Sequence, residues 1–315
     1  MRFFEHAHYK FIELRRKAYV LSGTAISVGI IAMVVNIFTI GNWQNYGVDF
    51  TGGSLVEVQF NKPVQVGDLR SALGGQDAIT QFGADNDFVI RAPLGEKSID
   101  QVAAEVQQKL SAALGEGTFT VQRTELVSAK VGSELTRKAA FAILFSFFIT
   151  LIYLAIRFET RFGTAAVIAT AHDILITLGF LALFRMEISL TTVAAVLTIV
   201  GYSLNDTIIV FDRIRENLHK KGARKRDLIE LIDESINETL PRTILTSGTT
   251  VAVLVALLLL GGAVIRDFTV VLIMGIVVGT YSSIFVASPA LVEIQRRWGE
   301  GKIRERKPKP EPATV

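Results

Sequence analysis

The chain carries six long stretches in which charged residues are scarce. A run of about 18 or more apolar residues is long enough to cross a bilayer as a helix. Five runs are nearly free of charge, at residues 18–48, 139–156, 188–205, 243–265 and 268–292; the sixth, 163–184, is interrupted only by His172–Asp173. Lipid offers the backbone no hydrogen-bond partner, so each run is expected to be a helix. The predicted class is an α-helical membrane protein with six transmembrane helices at residues 18–41, 137–157, 163–184, 188–211, 242–265 and 268–292. The first run is too long for a cleavable signal peptide and no small-residue cleavage site follows it, so it reads as a retained anchor.

Basic residues fix the expected orientation. They gather in the arm at 1–17 (Arg2, Lys10, Arg15, Arg16, Lys17) and at Arg157 and Arg161. More lie along the connection 212–241, among them Arg213, Arg215, Lys220 and Lys221, and in the tail 293–315. The two short loops on the opposite side carry only Arg185 and Arg266, so the positive-inside rule places both termini in the cytoplasm. The basic patches read as orientation signals beside anionic lipid, without a nucleic-acid partner. The tail's end, "RKPKPEPATV", has the composition of a disordered segment. With no cysteine in the chain, disulfides, thiolate metal sites and cysteine nucleophiles are excluded. Nothing in the sequence calls for a cofactor or metal, and no residue is singled out as catalytic.

Residues 42–136 form one long outer segment between the first two spans. "SLVEVQF" alternates as a strand does, and "VGDLRSALGG" reads as a short helix closed by Gly74–Gly75. "AITQF" and "DFVIRA" are two strands around the turn "GADN"; "SIDQVAAEVQQKLSAAL" is a helix with Ser98 as N-cap, and "TFTVQRTELV" is a last strand. The order βαββαβ predicts a small ferredoxin-like α+β domain.

Polar residues inside the spans carry the functional question. A carboxylate at the centre of a membrane helix costs about 2.5–3.5 kcal/mol on insertion scales. On span four, Thr198, Tyr202, Asn205, Asp206 and Ile209 follow helical spacing and predict one stripe. Thr170, Asp173 and Thr177 do so on span three, and Arg242, Thr246, Thr249 and Thr250 on span five. Asp173 is expected roughly 15 Å in from Gly163, and Asp206 about 9 Å from Asp212. An inner cluster of Asp206, Asp173 and Arg242 is therefore geometrically possible. Arg242 could instead snorkel to the headgroups, Asn205 could merely join helices, and His172 could be a packing residue. Gly275, Gly279 and Ser283 predict a small-residue packing face on span six, without chemistry. A carboxyl that is neutral when desolvated and charged when wetted or paired can couple proton passage to helix movement.

Several motifs resemble those of the SecD/SecF family of bacterial protein export: "VDFTGG" at 48–53, "AHD" at 171–173, "GYSLNDTIIVFDRIREN" at 201–217 and "RTILTSGTT" at 242–250. The membrane motifs match the SecF branch more closely than SecD, and the resemblance covers nearly the whole chain to about residue 292. That family belongs to the resistance–nodulation–division (RND) superfamily of proton-driven transporters. The resemblance implies a proton-driven accessory subunit of a translocase, not an enzyme, in the bacterial inner membrane. It implies SecD as partner, the SecYEG channel and YajC as companions, and an unfolded exported polypeptide as client; the basic arm and charged tail of the sequence give the further expectation that SecD comes in trans. It puts the proton pathway on Asp206 and Arg242, with His172–Asp173 as a matching pair and Asn205 beside Asp206. Gly52 and Gly53 of "DFTGG" allow a tight turn at positive φ, and with Asp49 they are expected to form a structural hinge. Asp206 is expected at the seam with SecD. The alternative is half of an RND-type exporter of small molecules or lipids. An intramembrane aspartyl protease would need Asp173 and Asp206 close together, and its Gly-x-Gly-Asp motif is replaced here by "SLND".

Overall fold

The computed structural model describes residues 8–73, 78–81, 86–92, 98–127, 129–220, 226–261 and 265–298. The expected Gly74–Gly75 helix stop, most of the "GADN" turn and the Pro-rich end lie outside these residues, as do Arg2 and Lys221. Among the described residues, six helices are long and apolar enough to cross a membrane. Five of them are α1 (Arg15–Ile40), α5 (Ala129–Arg157), α6 (Thr160–Leu183), α7 (Leu190–His219) and α8 (Leu228–Leu260). The sixth joins α9 (Arg266–Ser282), a π turn (Ser283–Ala287) and α10 (Ser288–Trp298).

The fourth and fifth helices outrun their apolar stretches. α7 continues through charged residues to His219, and α8 begins at Leu228 and passes through Pro241. Apolarity alone could not locate these ends, because the added turns are amphipathic. Leu231, Ile232, Ile236 and Leu240 are buried in a core shared with Phe211 and Ile214 of α7. On the polar side Arg213 Nε donates to Glu238 at 2.6 Å and Asn217 to Ser235 at 2.9 Å. A proline inside a helix removes a ladder bond, and this packing holds the helix across the gap.

α6, α7 and α9 pack together at the centre; α1 lies on α6, and α8 on α7 and α9. Small residues set the approach. A Cβ built on Gly29 of α1 would fall 2.7 Å from the Gly179 Cα of α6, and one on Gly279 of α9 would fall 2.8 Å from the Ser203 Cβ of α7. Gly275 likewise makes room for Ile199. α5 stays on the periphery, with Phe141, Leu144, Phe145, Phe148 and Ile156 exposed for lipid contact.

The head between the first two spans has strands β2 (Gly53–Phe60), β3 (Ala78–Gln81), β4 (Asp87–Ala92) and β5 (Phe119–Val127) with helices α3 (Val66–Ala72) and α4 (Ile99–Leu114). The order β3-β4-β2-β5, antiparallel throughout, is the split βαβ arrangement. Val56, Val58 and Phe60 alternate into a core that Leu69 and the α4 residues Val102, Val106 and Leu110 close. Ser98 caps α4 in a capping box with Gln101.

Several contacts among the described residues join the segment entering the head to the bundle. β1 (Asn45–Tyr46) pairs in parallel with β6 (Glu187–Ile188), the turn between α6 and α7. A four-residue helix, α2 (Val48–Thr51), packs on α5, where a side chain at Gly132 would meet the Phe50 carbonyl at 2.6 Å. The Leu190 N–H donates to Asp49 Oδ2 at 3.0 Å, so the "DFTGG" aspartate caps span four. Gly52 adopts φ 76°, which favours glycine. Gly53 instead opens strand β2 outside the left-handed region, so the positive-φ turn expected of both glycines rests on Gly52 alone.

Glu187 sits in this joint, with Oε1 3.8 Å from Arg91 Nε of the head. Burial pushes its carboxyl above the usual range against the pull of Arg91, and the nearby Asp49 and Asp267 add to the rise. Because the folded value is raised, the stability this group contributes is full below its unfolded value of about 4.3 and is lost as pH climbs through the folded value. Glu187→Gln stays neutral throughout. It is expected to flatten any fall in melting temperature as pH rises above about 4.3; an unchanged slope would show that Glu187 does not contribute to it.

Candidate polar site inside the bundle

Two carboxylates lie buried among the spans, Asp173 2% exposed on α6 and Asp206 4% exposed on α7. Their surroundings differ. Asp173 accepts hydrogen bonds from the Ser203 hydroxyl of α7 and from the Ser282 hydroxyl of α9, the latter at 2.7 Å. His172 Nδ1 lies 2.8 Å from Asp173 Oδ1, and its Nε2 lies 3.0 Å from Ser22 Oγ of α1. Ser22 Oγ is in turn 3.2 Å from the Tyr281 hydroxyl, which donates to the Ala18 carbonyl at 3.0 Å. A connected polar chain thus runs from span four through span three to span one. Thr170 and Thr177, on the Asp173 face, are buried and donate to backbone carbonyls of their own helix.

Asp206 is more lightly held. It accepts from the Ser283 hydroxyl at 3.3 Å, a long bond for a buried carboxylate, and the Thr243 hydroxyl of α8 lies within reach of the same carboxylate. Thr243 is buried, and its Oγ1 makes no other hydrogen bond among the described residues.

Ser22, His172 and Asp173 stand in the order of an acyl-transfer triad. Ser22 lies inside α1, however, where neighbouring amides are committed to the helix ladder and none is left to receive an oxyanion. The chain of groups can hold and pass a proton but is not built for attack on a carbonyl.

The possible three-membered cluster divides. Asp173 and Asp206 are each bonded to one of two consecutive serines, Ser282 and Ser283. Arg242 is exposed at the surface of α8 and makes no salt bridge with Asp206 among the described residues, although its charge reaches that carboxylate. The span-four stripe also divides. Thr198, Gly201 and Asn205 face outward, while Asp206 turns inward. The physical reason is elementary: Asn205 and Asp206 are neighbours and point about 100° apart. On span five Thr246 and Thr249 are exposed with Arg242, whereas Thr243 and Ser247 face inward and Thr280 donates to Ser247 at 2.7 Å. Tyr202 reaches the rim of this face and donates to Thr250 at 3.2 Å. The face of Gly275, Gly279 and Ser283 was expected to be packing alone; it packs, but Ser283 also serves Asp206.

Sequence reasoning missed Ser22, Ser203, Tyr281, Ser282 and Thr243. A signal existed for two of them: Ser203 lies three residues before Asp206, and Ser282 adjoins the glycine face.

Residues 106–297 match the family model described as protein export membrane protein SecD/SecF, C-terminal, and residues 45–64 match the SecD/SecF GG motif, which covers the joint around α2. The protein translocase subunit SecF of Gemmatimonas aurantiaca is 48% identical over 309 residues, covering 95% of this chain and 90% of that protein. The subunit of the same name from Desulfurispirillum indicum is 42% identical over 309 residues, covering 96% of each. The crystal structure of SecDF, a translocon-associated membrane protein from Thermus thermophilus, superposes with a TM-score of 0.77 at 38% identity. That match takes in 94% of this chain and 40% of the longer SecDF chain. The chain belongs to the SecD/SecF family, among the multi-pass membrane proteins called protein translocase subunit SecF.

Proposed function

We propose that the chain pairs with SecD in trans in the bacterial inner membrane, with both termini cytoplasmic, and uses the proton-motive force to assist SecYEG-dependent export. YajC is a further companion and the client is an unfolded exported polypeptide. The observation that carries this reading is Asp206: a buried carboxylate in the bundle, held by a 3.3 Å bond from Ser283 with the Thr243 hydroxyl beside it. Few contacts depend on its charge, so a change of charge leaves the packing of the bundle in place. One elementary charge crossing 100 mV is worth about 2.3 kcal/mol, and each pH unit adds about 1.4 kcal/mol per proton. Either is enough to bias a helix arrangement that differs by a few kcal/mol.

Pairing is supported by the outward polar strip. Thr198, Asn205, Arg242, Thr246 and Thr249 are exposed where lipid would surround them, and polar faces of this kind turn to a partner or a wet cavity. In this reading SecD covers the strip, Asn205 helps hold the seam, and Arg242 completes the proton path from that side. The joint that caps span four with Asp49 would carry helix motion into the head.

The test is export of a secreted preprotein in cells lacking their own SecF, supplied with SecD and either the wild-type chain or Asp206→Asn. Asparagine keeps size and hydrogen bonding but cannot carry the proton. The variant is expected to assemble with SecD and to export no better than cells without the chain. Full export by the variant would move the proton path elsewhere, first to Asp173.

A further inference from the structure

Residues 281–283 reach three different helices. Tyr281 binds Ala18 of span one, Ser282 binds Asp173 of span three, and Ser283 binds Asp206 of span four. Each serine hydroxyl has one proton and two acceptors within reach. For Ser283 these are Asp206 Oδ2 at 3.3 Å and the Thr280 carbonyl at 2.9 Å; for Ser282 they are Asp173 Oδ2 at 2.7 Å and the Gly279 carbonyl at 3.0 Å. Each serine is therefore a two-position donor, turned to a carboxylate or back to its own helix, and back-bonding of this kind bends helices.

The backbone at this point is built to yield. The π turn Ser283–Ala287 begins at the second serine. Pro289 has no N–H for the helix ladder, and the buried Ser288 hydroxyl donates to the Ser283 carbonyl at 3.0 Å, supplying a donor from a side chain. A π turn holds one residue more than an α turn, and such turns are frequent at functional sites. Passing that extra residue along the helix turns the residues it passes by about 100°.

We propose that the Ser282–Ser283 pair and its π turn are a coupler that ties the state of Asp206 to the seat of Asp173, and through His172, Ser22 and Tyr281 to span one. Ser282 and Ser283 are then positioning residues of the proton path. A charged Asp206 accepts from Ser283. A protonated Asp206 becomes a donor, so the Ser283 hydroxyl accepts from it and turns its own proton to Thr280. That turn shifts the helix on which Ser282 rides, and with it the bond to Asp173. The other titratable or charged groups around the pair are His172 on α6, Tyr202 on α7, Tyr281 on α9 and Arg242 on α8, whose charge reaches Asp206 from the surface. The inference rests on Asp206 as the proton site.

Carbodiimides react with protonated carboxyls, so the rate of labelling at Asp206 reports its state. The rate would be measured by mass spectrometry in membranes holding the chain together with SecD, with and without Asp173→Asn. With both serines present, Asp173→Asn is expected to change the rate at Asp206 by about fivefold or more. In Ser282→Ala and in Ser283→Ala the two positions should become independent, and Ser283→Thr, which restores a hydroxyl, should bring the dependence back. Loss of a merely structural serine would change the yield of folded protein but not this dependence. A dependence that survives in both alanine variants overturns the proposal, and so does its absence when both serines are present. Export is not part of the readout, so a failure here is distinct from full export by Asp206→Asn.

Discussion

Gly179→Leu is expected to force span one away from span three and to leave little folded protein. The two helices meet glycine to glycine. A Cβ at Gly179 would lie 2.8 Å from the Gly29 Cα, and one at Gly29 would lie 2.7 Å from the Gly179 Cα. Both obstacles are backbone, so no rotamer change relieves them. Overpacking that side chains can absorb costs about 1–3 kcal/mol; with no yielding neighbour, this substitution belongs at or above the upper end. The damage also spreads, because the same helix pair carries the bond from Asn36 Nδ2 to the Ala182 carbonyl at 2.9 Å and the Ser22–His172 contact. Gly23, on the same helix as Gly29, has nothing within 4 Å of a built Cβ, so Gly23→Ala is the matched control. Thermal unfolding in detergent separates them: a large drop for Gly179→Leu, and no loss for Gly23→Ala. A Gly179→Leu protein that melts with the unmodified chain would mean that the two spans do not pack through these glycines.

The reach of the sequence follows from what sets each feature. The spans were legible because lipid leaves a long apolar run few alternatives to a helix. The head was legible because "SLVEVQF" alternates with the period of a half-buried strand and Ser98 with Gln101 forms a local cap. Direction within the bundle was not legible. The spacing i, i+3, i+4, i+7 defines a stripe about half a helix wide, so it grouped Asn205 with Asp206, although one faces out and the other in. Which half of the stripe turns inward depends on the neighbours, and here Gly279 lets α9 come close enough for Ser283 to reach Asp206. The extension of α8 was hidden by its amphipathic composition, and the π turn by the weakness of its signal, a Ser288–Pro289 pair inside an apolar run. The capping role of Asp49 joins residues far apart in the chain and leaves no local trace.

Asp173→Ala and Asp206→Ala are expected to part company, the first costing much more stability than the second. Asp173 is the acceptor for three neighbours, His172, Ser203 and Ser282, drawn from its own helix and two others. Side-chain hydrogen bonds in membrane proteins average about 0.6 kcal/mol and reach about 1.7 kcal/mol, so the loss at Asp173 is about 2–5 kcal/mol. Asp206 forfeits the long Ser283 bond and the Thr243 contact, about 1 kcal/mol at the average value for such bonds. Asp173→Asn, which keeps an acceptor, should fall between the two. Unfolding of the purified variants measures the order directly. Equal losses at the two positions would make Asp206 as structural as Asp173. The predicted order instead assigns the two carboxylates different work: Asp173 holds spans three, four and six in register, while Asp206 is tied loosely enough to change its charge without unfolding them. A buried ionisable group that the fold scarcely needs contradicts the local rules for stability, and such contradictions in natural proteins mark function.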